Sequence, residues 1–383
     1  MTVDRPLRIL LVGDYDDDPR LGSAKVAHKL REEFRALGHT CDALFSRDIG
    51  GRPGGRQIRQ LVAPALAGRA VARALAVHPY DVVDAASAEG LWVPVLRPLR
   101  GFGRTAIVCR SHGIEHLNYR RMLDDARFGL SRKPWTRRIW YPLSRLSQVA
   151  AAARLADRLI VLNEVDRRFA LERRWQPADR IDLIPHGVSS RLMEVSTDPE
   201  SRGRGALFCG SWTAMKGVTY LAAAWRHLVD AGHRVPLTIL GPGVEADFVL
   251  RSFDGAARDL VTVMPRVGEA EVIRAYRQHD LLVFPSTYEG FGLVAVEAMS
   301  QGLPVVATPV GCATTLVRDG ETGVLVPPRD PHALARAVVR LMGDEPARRR
   351  IGSAAAAAVA HLSWQRTAEQ TLRSYRMALR SLE

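Results

Sequence analysis

Short apolar stretches alternate with helical patterns along this chain, and the alternation restricts the possible folds more than any other feature. The first stretch, residues 7–12, ends at Gly13 and is followed by the helical spacing of Val26, Leu30 and Phe34. Strands buried on both faces are near-continuous apolar runs, whereas helices repeat apolar residues every three or four positions. Repeated strand and helix units of this kind imply a parallel sheet covered by helices.

The alternating pattern occurs twice, with an interruption near the middle of the chain. Further strand-like runs are residues 81–84, 105–109, 158–162 and 180–184 in the first half, and 206–209, 237–240, 260–263, 281–284, 304–307 and 322–326 in the second. Residues 199–205 between them are polar and rich in glycine, as is typical of a domain junction. We therefore predict an α/β protein with two Rossmann-like, doubly wound parallel-sheet domains, the first ending at residue 198.

Length and composition agree with two globular domains. The chain has 383 residues, 47% hydrophobic and 25% charged, which argues against a disordered or fibrous protein. No apolar run approaches the roughly 20 residues that span a bilayer, and residues 1–8 are too polar and short for a secretory signal. We therefore expect a cytoplasmic protein. Its four cysteines are far apart, form no CxxC pair and are expected to be buried free thiols.

The formal charge of +13 favours an anionic partner, but only four of the 54 basic residues are lysines, so general arginine use explains much of the charge. Nucleic acid is therefore not an expected partner. One stretch, residues 119–155, does concentrate arginine among aromatic residues, including Phe128, Trp135, Trp140 and Tyr141. Two interpretations are open for this stretch: a solvated helical hairpin, or a surface that associates peripherally with the anionic inner face of the cell membrane.

The most informative segment is residues 285–311, in which two glutamates stand eight positions apart. Glu289 follows a strand, and Glu297 lies inside an otherwise apolar helix, where an ionised carboxylate is costly unless donors such as ligand hydroxyl groups reach it. Gly290 and Gly292 allow backbone to approach a ligand closely, and the free amides of the helix start attract anions. A solvated glutamate on a surface helix is the alternative. The spacing as a whole favours a site for hydroxyl and anionic groups.

The segment reads Pro-Ser-Thr-Tyr-Glu-Gly-Phe-Gly-Leu, then Glu-Ala-Met and Gly-Leu-Pro-Val-Val, and in this form it resembles glycosyltransferase family 4. Other matching pieces are residues 157–160, 184–188, 216–217, 240–243 and 319–323, so the resemblance covers nearly the whole chain. It implies the GT-B fold, with an N-terminal acceptor-binding domain over residues 1–198 and a C-terminal nucleotide-sugar-binding domain over residues 199–362. The two domains would face a central cleft, and a helix over residues 363–383 would pack back on the first domain.

The resemblance also implies roles for residues of the second domain. Glu297 would bind the ribose hydroxyl groups of a nucleoside diphosphate, and Glu289 would hold donor-sugar hydroxyl groups together with the backbone of Gly290, Phe291, Gly292 and Leu293. Lys216 would meet the pyrophosphate, a role that suits a compact ammonium in a chain that otherwise uses arginine almost throughout. The alternative is an ordinary surface lysine. Ser211 follows Gly210 where family members often have arginine, so Arg266 is a candidate for a further phosphate contact.

In the first domain the resemblance implicates three residues. His112 follows a predicted strand and would hydrogen-bond a hydroxyl group of the donor sugar, although a lone histidine is more often structural. Gly22 and Ser23 match the loop where the family usually has two glycines, at the start of a helix whose amides would reach the phosphate or the acceptor. The serine is a departure from the family pattern, and it leaves the acceptor side of the site open.

The sequence therefore predicts a retaining glycosyltransferase that moves a sugar from a nucleoside-diphosphate sugar to an acceptor hydroxyl in glycan, glycolipid or polysaccharide biosynthesis. The expected partners are the nucleotide sugar and a glycan or lipid-linked acceptor. No metal or other cofactor is expected, because the acidic run at residues 14–18 is interpreted as a solvated loop. The alternatives are a nucleotide-sugar hydrolase or epimerase on the same fold, and a non-catalytic nucleotide-sugar-binding protein. A nicotinamide oxidoreductase is disfavoured, because residues 261–263 lack the acidic residue that its fingerprint requires.

Overall fold

A computed structural model describes residues 5–50, 56–100, 104–127, 135–193 and 202–383. The chain forms two compact units. Unit 1 consists of Met1–Gly187 and Trp364–Glu383, and unit 2 consists of Val188–Ser363. The chain therefore passes from unit 1 into unit 2 and later returns.

The strands are β1 Arg8–Val12, β2 Thr40–Leu44, β3 Val82–Ala86, β4 Ala106–Arg110, β5 Arg158–Val161, β6 Ile181–Leu183, β7 Ala206–Cys209, β8 Leu237–Leu240, β9 Val261–Met264, β10 Leu281–Phe284, β11 Val305–Ala307 and β12 Val324–Leu325. The helices are α1 Gly22–Ala36, α2 Ser46–Ile49, α3 Arg56–Val77, α4 Trp92–Arg100, α5 Glu115–Arg127, α6 Trp135–Tyr141, α7 Ser147–Leu155, α8 Glu164–Glu172, α9 Ser190–Met193, α10 Val218–Asp230, α11 Ala246–Leu250, α12 Gly255–Arg258, α13 Glu269–Gln278, α14 Leu293–Ser300, α15 Ala313–Leu316, α16 Pro331–Met342, α17 Glu345–Val359 and α18 Trp364–Arg380. A π-helical turn, Pro142–Leu146, joins α6 to α7.

The sheet of unit 1 has six parallel strands in the order β2-β1-β3-β4-β5-β6. Strands β3 and β4 are buried along their whole length, as expected for a parallel sheet with helices on both faces. The chain leaves β1 toward β2 on one side and continues from β3 to β6 on the other. The carboxyl ends of β1 and β3 therefore form the switch point of this sheet, the place where ligands of such sheets bind.

The helix α18 is part of unit 1, and it hydrogen-bonds to a buried ion pair of the sheet. The Arg110 guanidinium on β4 donates to the Asp84 carboxylate on β3 at 2.9 Å and 2.5 Å. Tyr375 on α18 donates its hydroxyl to the same carboxylate at 2.5 Å, and Thr371 accepts a weaker bond from Arg110 at 3.4 Å. Both charged side chains are almost fully buried, so their mutual pairing and the tyrosine hydrogen bond are required to offset desolvation.

The sheet of unit 2 also has six parallel strands, in the order β12-β11-β10-β7-β8-β9. Its core is formed by α10 and α16 against the strands, with Trp225 and Val338 fully buried. The adjacent strands β7 and β10 lead in opposite directions across the sheet. The carboxyl ends of these two strands are therefore the switch point of unit 2.

The junction between the units lies earlier in the chain than the predicted boundary after residue 198. Val188 already belongs to unit 2, because its backbone N–H donates to the Leu362 carbonyl at 2.9 Å and it forms a β-bridge with Ser363. The carbonyl of Leu192 on α9 accepts a hydrogen bond from the Gln301 side chain. The polar, glycine-rich stretch that suggested the boundary therefore lies beyond the first residues that pack on unit 2.

In the part of the chain that the structure describes, one helix, over Ile58–Val77, is long and apolar enough to cross a membrane by length and composition alone. It forms most of α3, and one face packs in the core of unit 1 through Ala67, Ala70 and Val71. Helices that cover a buried sheet pass the same test of length and composition, so this finding is weak support for a membrane span.

Candidate functional site

The predicted site residues of unit 2 follow the two strands of its switch point. Gly210, Ser211 and Lys216 come after β7, and residues 289–293 come after β10. Because β7 and β10 are neighbours in a parallel sheet, the two loops meet at the same edge. The fold therefore brings together two segments that lie about 70 residues apart in the sequence, as seen in the contact between positions 216 and 289.

Lys216 and Glu289 form an ion pair at this edge. The Lys216 Nζ atom lies 2.6 Å from Glu289 Oε1, and Ser286 donates its hydroxyl to the same oxygen at 2.7 Å. The Glu289 side chain is only 7% exposed and that of Lys216 is 20% exposed. A largely buried carboxylate is thus satisfied by one cation and one hydroxyl group, while the ammonium keeps access to solvent.

Lys216 is held in place by the contact between the two loops. It ends a short 3-10 turn, Ala214–Lys216, and Gly217 follows in the left-handed conformation with φ of 71°. The Thr287 N–H donates to the Met215 carbonyl at 2.8 Å. A Cβ atom at Gly217 would lie 1.9 Å from the Pro285 carbonyl oxygen, so only glycine permits this approach.

Two glycines of the predicted site, Gly210 and Gly292, also adopt conformations that disfavour side chains. Gly292 has φ of 96° and immediately precedes α14, where a Cβ atom would lie 2.9 Å from the Phe284 ring. Gly210 has φ of 140°, and a Cβ atom there would contact the Lys216 side chain at 3.8 Å. Phe291 is buried, and Leu293 is the first residue of α14. The backbone at Gly210 and Gly292 therefore carries no side chain beside the Lys216–Glu289 pair, and its contact with a ligand stays a prediction.

Glu297 is buried in α14, and its partner was not identified from the sequence. The Tyr276 hydroxyl on α13 donates to Glu297 Oε2 at 3.1 Å and lies 3.9 Å from Cys209 Sγ at the end of β7. Burial, with Cys209 and Glu297 nearby, raises the pKa of Tyr276 well above its usual range, so the hydroxyl keeps its proton. In the sequence, Tyr276 has the helical spacing of an ordinary core residue, which gives no signal of a role at the site.

Arg266 and Ser211 lie in loops at the same edge of the sheet. The Gly241 N–H donates to the Met264 carbonyl at 2.9 Å, and the Trp212 N–H donates to the Pro242 carbonyl at 2.8 Å. The Arg266 guanidinium covers Gly243, where a Cβ atom would lie 2.6 Å from Nη2. The arginine is exposed on the loop after β9, so its contact with a phosphate stays a prediction.

His112 lies in unit 1, two residues after β4. Its ring meets Tyr15 edge to face, with centroids 5.9 Å apart, and lies 6.4 Å from the ring of His186. Burial and the nearby Arg110 guanidinium lower the pKa of His112 to about 4. The imidazole is therefore neutral at pH 7 and offers one donor and one acceptor, which suits a hydroxyl group better than a phosphate.

Gly22 and Ser23 are the first two residues of α1 in unit 1. No side chain caps this helix start, and a Cβ atom at Gly22 would meet no heavy atom within 4 Å. Glycine is therefore not required at position 22 by the fold of unit 1. Any role of these residues toward a ligand stays a prediction.

The acidic run at residues 14–18 lies in a loop, as the sequence suggested, but Asp14 and Asp17 are ion-paired and only partly exposed. Asp14 accepts hydrogen bonds from Ser46 and Arg59, both at 2.8 Å. Asp17 lies 2.8 Å from His28 Nε2 and 2.7 Å from an Arg47 nitrogen. Basic residues that are distant in the sequence neutralise the run, which composition alone does not reveal. Among the described residues, no group of three or more histidine, cysteine or acidic side chains is arranged to hold a metal ion.

The basic segment 119–155 is only partly a solvated surface. The structure describes residues 119–127 and 135–155, so Phe128 lies outside the described residues. Arg145 projects inward from the π-helical turn and binds Glu89 at 2.9 Å and Glu115 at 2.8 Å. On the outer side, Ile139, Trp140 and Leu143 are exposed by 56%, 44% and 71%.

Comparisons with known proteins agree with this geometry. The profile described as Glycosyltransferase Family 4 matches residues 21–191, and the profile described as Glycosyl transferases group 1 matches residues 203–344. A D-inositol 3-phosphate glycosyltransferase of Paenarthrobacter aurescens is 39% identical over 217 residues, 53% of this chain and 53% of that protein. A phosphatidyl-myo-inositol mannosyltransferase of Mycobacterium leprae is 35% identical over 216 residues, 54% of this chain and 56% of that protein. The matched region spans about half the length of these curated relatives.

Solved structures resemble the chain over almost its full length. Sucrose-phosphate synthase from Thermosynechococcus elongatus superposes with a TM-score of 0.78 and 23% identity, covering 98% of this chain and 100% of that one. Anabaena HepE, crystallised with UDP and glucose, gives a TM-score of 0.67 and 18% identity, covering 96% of this chain and 98% of that one. At these identities the likeness concerns the fold.

The two switch-point sheets and these structural neighbours define the fold as the GT-B class. The two profiles and the curated relatives define the chain as a glycosyltransferase. The two profiles, which cover successive parts of both units, show that it belongs to glycosyltransferase family 4. The predicted family and fold class are thereby confirmed.

Proposed function

We propose that the chain is a retaining glycosyltransferase that moves a sugar from a nucleoside-diphosphate sugar to an acceptor hydroxyl group. The observation that carries the proposal is the Lys216–Glu289 ion pair at the switch point of unit 2, beside the start of α14. A cation, a carboxylate and helix-start amides at one edge suit a ligand that has both phosphate and hydroxyl groups.

In this proposal the residues of unit 2 bind the donor. The Lys216 ammonium and the amides at the start of α14 stabilise the negative charge of the departing diphosphate, a role that a divalent ion fills in other enzymes. Glu289 accepts hydrogen bonds from donor-sugar hydroxyl groups, and Glu297 accepts them from the ribose. Arg266 is a candidate for an additional phosphate contact, because it lies on a loop at the same edge.

The proposed reaction keeps the anomeric configuration. The bond between the anomeric carbon and the diphosphate oxygen breaks, and the acceptor oxygen bonds to the same face of that carbon. The acceptor proton passes to the departing phosphate oxygen. Neutral His112 would hold a hydroxyl group of the donor sugar during this step, and we assign no protein nucleophile. NMR of the product would test retention, and an inverted anomer would contradict the proposed course.

Calorimetry with UDP-, GDP- and ADP-sugars is the first test, followed by measurement of nucleoside diphosphate release. Lys216→Ala should reduce kcat by about 100-fold or more while the donor still binds, since it removes charge stabilisation in the transition state. Glu297→Ala should instead weaken donor binding. Lys29→Ala is a matched control, because Lys29 pairs with Glu32 on the surface of α1. Full turnover in Lys216→Ala, or unchanged donor binding in Glu297→Ala, would remove the basis of these assignments.

The acceptor proposal comes from the curated relatives. Two of them are named for D-inositol 3-phosphate and phosphatidyl-myo-inositol, so we propose an inositol-containing acceptor. Turnover should be compared with inositol phosphate, with vesicles of phosphatidylinositol and with a free hexose as the control. A preference for the hexose over both inositol compounds would contradict the acceptor class.

We further propose that unit 1 associates peripherally with an anionic bilayer at the inner face of the cell membrane. The surface is the apolar-basic face, defined as Arg138, Ile139, Trp140 and Leu143, in which three exposed apolar side chains adjoin an exposed arginine. Such a face binds through apolar insertion and attraction to anionic headgroups. It would suit a lipid-linked acceptor.

Liposome flotation tests the membrane proposal. Leu143→Asp should reduce flotation with anionic vesicles, and high salt should reduce it for the unchanged chain. Val77→Asp is the matched control, since Val77 at the end of α3 is 72% exposed and Leu143 is 71% exposed. Equal flotation of both variants, or none of the unchanged chain, would contradict the proposal.

Three alternative functions give different outcomes in the same assays. A nucleotide-sugar hydrolase would release nucleoside diphosphate without an acceptor, an epimerase would change the donor sugar without releasing nucleotide, and a non-catalytic binding protein would bind donor without turnover. The Lys216–Glu289 pair favours a catalytic role over binding alone, because charge stabilisation at a diphosphate assists its departure. Release of nucleoside diphosphate that is unaffected by any acceptor would favour hydrolysis.

A further inference from the structure

The hydroxyl group of Tyr276 lies where three elements meet beside the proposed nucleotide site. It projects from α13, donates to Glu297 on α14 at 3.1 Å and lies 3.9 Å from Cys209 at the end of β7. The tyrosine is 0% exposed and Glu297 is 6% exposed. This is therefore a buried contact between a neutral donor and a carboxylate, made where α13, α14 and β7 meet.

The single hydroxyl proton of Tyr276 goes to the glutamate. An ionised carboxylate is an acceptor only, and a bond to it is about twice as strong as one between neutral groups. Sulfur is a weak acceptor, and the thiol of Cys209 can instead donate its own hydrogen to the tyrosine oxygen. Burial raises the pKa of Tyr276 well above its usual range, which keeps the proton available at every physiological pH.

The surroundings of Tyr276 fix its ring as firmly as its hydroxyl group. It lies on the inner side of α13, where Ile273 is also buried. A tyrosine without exposure has no freedom to swing away, so its oxygen is a fixed point for one carboxylate oxygen of Glu297. A glutamate has three side-chain torsions, and a hydrogen bond to a fixed donor restricts that freedom.

We propose that Tyr276 is the positioning residue that orients the Glu297 carboxylate toward the ribose of the donor, so that the pair sets the preference for ribonucleotides over 2′-deoxyribonucleotides. This inference rests on the proposed function, in which Glu297 accepts hydrogen bonds from ribose hydroxyl groups. A carboxylate held in one orientation accepts bonds from vicinal hydroxyl groups better than one that rotates. A 2′-deoxy ligand offers the carboxylate only its 3′ hydroxyl, a single bond that a rotated carboxylate can still accept. Loss of the tyrosine hydroxyl should therefore weaken binding mainly of ligands that carry both vicinal hydroxyl groups.

The decisive variant is Tyr276→Phe, which retains the buried ring and removes one oxygen. Calorimetry would compare the tightest binder among UDP, GDP and ADP with its 2′-deoxy analogue, for the unchanged chain, Tyr276→Phe and Glu297→Gln. In Tyr276→Phe we expect ribonucleotide affinity to fall about 10-fold and deoxyribonucleotide affinity to stay within about twofold. Glu297→Gln should reduce the same preference. In turnover, Tyr276→Phe should raise the donor KM more than it lowers kcat.

Tyr80→Phe is the matched control. Tyr80 in unit 1 is also buried, and it donates to the Asp42 carboxylate at 2.8 Å. Urea unfolding of both variants would show how far each loses stability, and Tyr80→Phe should keep the full preference for the ribonucleotide. A loss of stability that both variants share can therefore not be mistaken for a loss of ribonucleotide preference.

The possible results separate this inference from the function on which it rests. If the unchanged chain binds none of the three nucleotides, the proposed function fails, and the inference fails with it. If Glu297→Gln loses the ribonucleotide preference and Tyr276→Phe retains it, the positioning role alone is refuted. Equal weakening of both nucleotides in Tyr276→Phe would also refute it, because a general disturbance of the site acts on both.

Discussion

Replacement of Gly217 by alanine should disrupt the loop contact that holds Lys216 beside Glu289. The glycine has φ of 71°, and an added Cβ atom would lie 1.9 Å from the Pro285 carbonyl oxygen. The left-handed conformation costs alanine about 1–2 kcal/mol. Forcing the two loops apart adds about 1–3 kcal/mol, the usual cost of inserting a methyl group into packed structure. We therefore expect Gly217→Ala to lower the free energy of unfolding by about 2–5 kcal/mol.

Gly232→Ala separates the two contributions. Gly232 has φ of 83°, but its added Cβ atom would meet no heavy atom within 4 Å. This variant therefore bears only the conformational cost, about 1–2 kcal/mol. Both substitutions restrict the unfolded chain equally. The difference between their free energies of unfolding therefore reports the contact with Pro285.

Urea unfolding and turnover measurements together measure the effect. Gly217→Ala should unfold at clearly lower urea than Gly232→Ala and should lower kcat, because Lys216 moves with the loop. Gly232→Ala should keep the kcat of the unchanged chain. Equal midpoints for the two variants would refute the reasoning that the two loops are in essential contact.

Three further predictions concern unit 1 and the metal requirement. Tyr375→Phe should lower the free energy of unfolding in urea by about 1.5–3 kcal/mol, because the buried Asp84 loses a donor. Tyr119→Phe is the control, since it loses only an exposed bond to the Arg138 carbonyl and should change the stability little. Similar urea midpoints for the two variants would contradict this prediction. Burial lowers the pKa of His112 to about 4 from an ordinary value of 6.5, so the unfolded chain binds the proton first as the pH falls and stability declines between pH 6.5 and 4. His112→Asn should make this decline shallower in pH-dependent thermal unfolding, and an unchanged slope would count against a buried neutral histidine. Turnover should persist in EDTA, since Lys216 is proposed to stabilise the diphosphate; activity lost in EDTA and restored by Mg²⁺ would overturn that assignment.

The sequence was most informative where a strand is buried on both faces. The runs at residues 206–209, 237–240 and 281–284 coincide with β7, β8 and β10, because a continuous apolar run has one dominant interpretation. Strand β2 was not predicted. It is an edge strand in which only Cys41 is buried and the next residue, Asp42, is polar, so it contains no continuous apolar run. Its pairing with β1 determines its structure.

The candidate site likewise combines residues that local sequence patterns identify with residues that only the fold brings together. Glu289, Glu297 and the glycines were identified from local spacing, since one short segment carries all of them. The Tyr276–Glu297 hydrogen bond and the ion pairs of Asp14 and Asp17 join segments that are distant in the sequence, so no residue spacing reveals them. Lys216 lies between these cases: its type and family pattern indicated a role, but its pairing with Glu289 requires the fold of unit 2.

The division of unit 1 has a consequence for the order in which the protein folds during synthesis. Trp364–Glu383 joins the sheet of unit 1 only after the whole of Val188–Ser363 has been made. Until then Asp84 and Arg110 lack Tyr375, and the sheet they belong to lacks one covering helix. Unit 2 is continuous and can complete its core first, although it comes second in the chain. On the ribosome, the later domain should therefore mature before the earlier one.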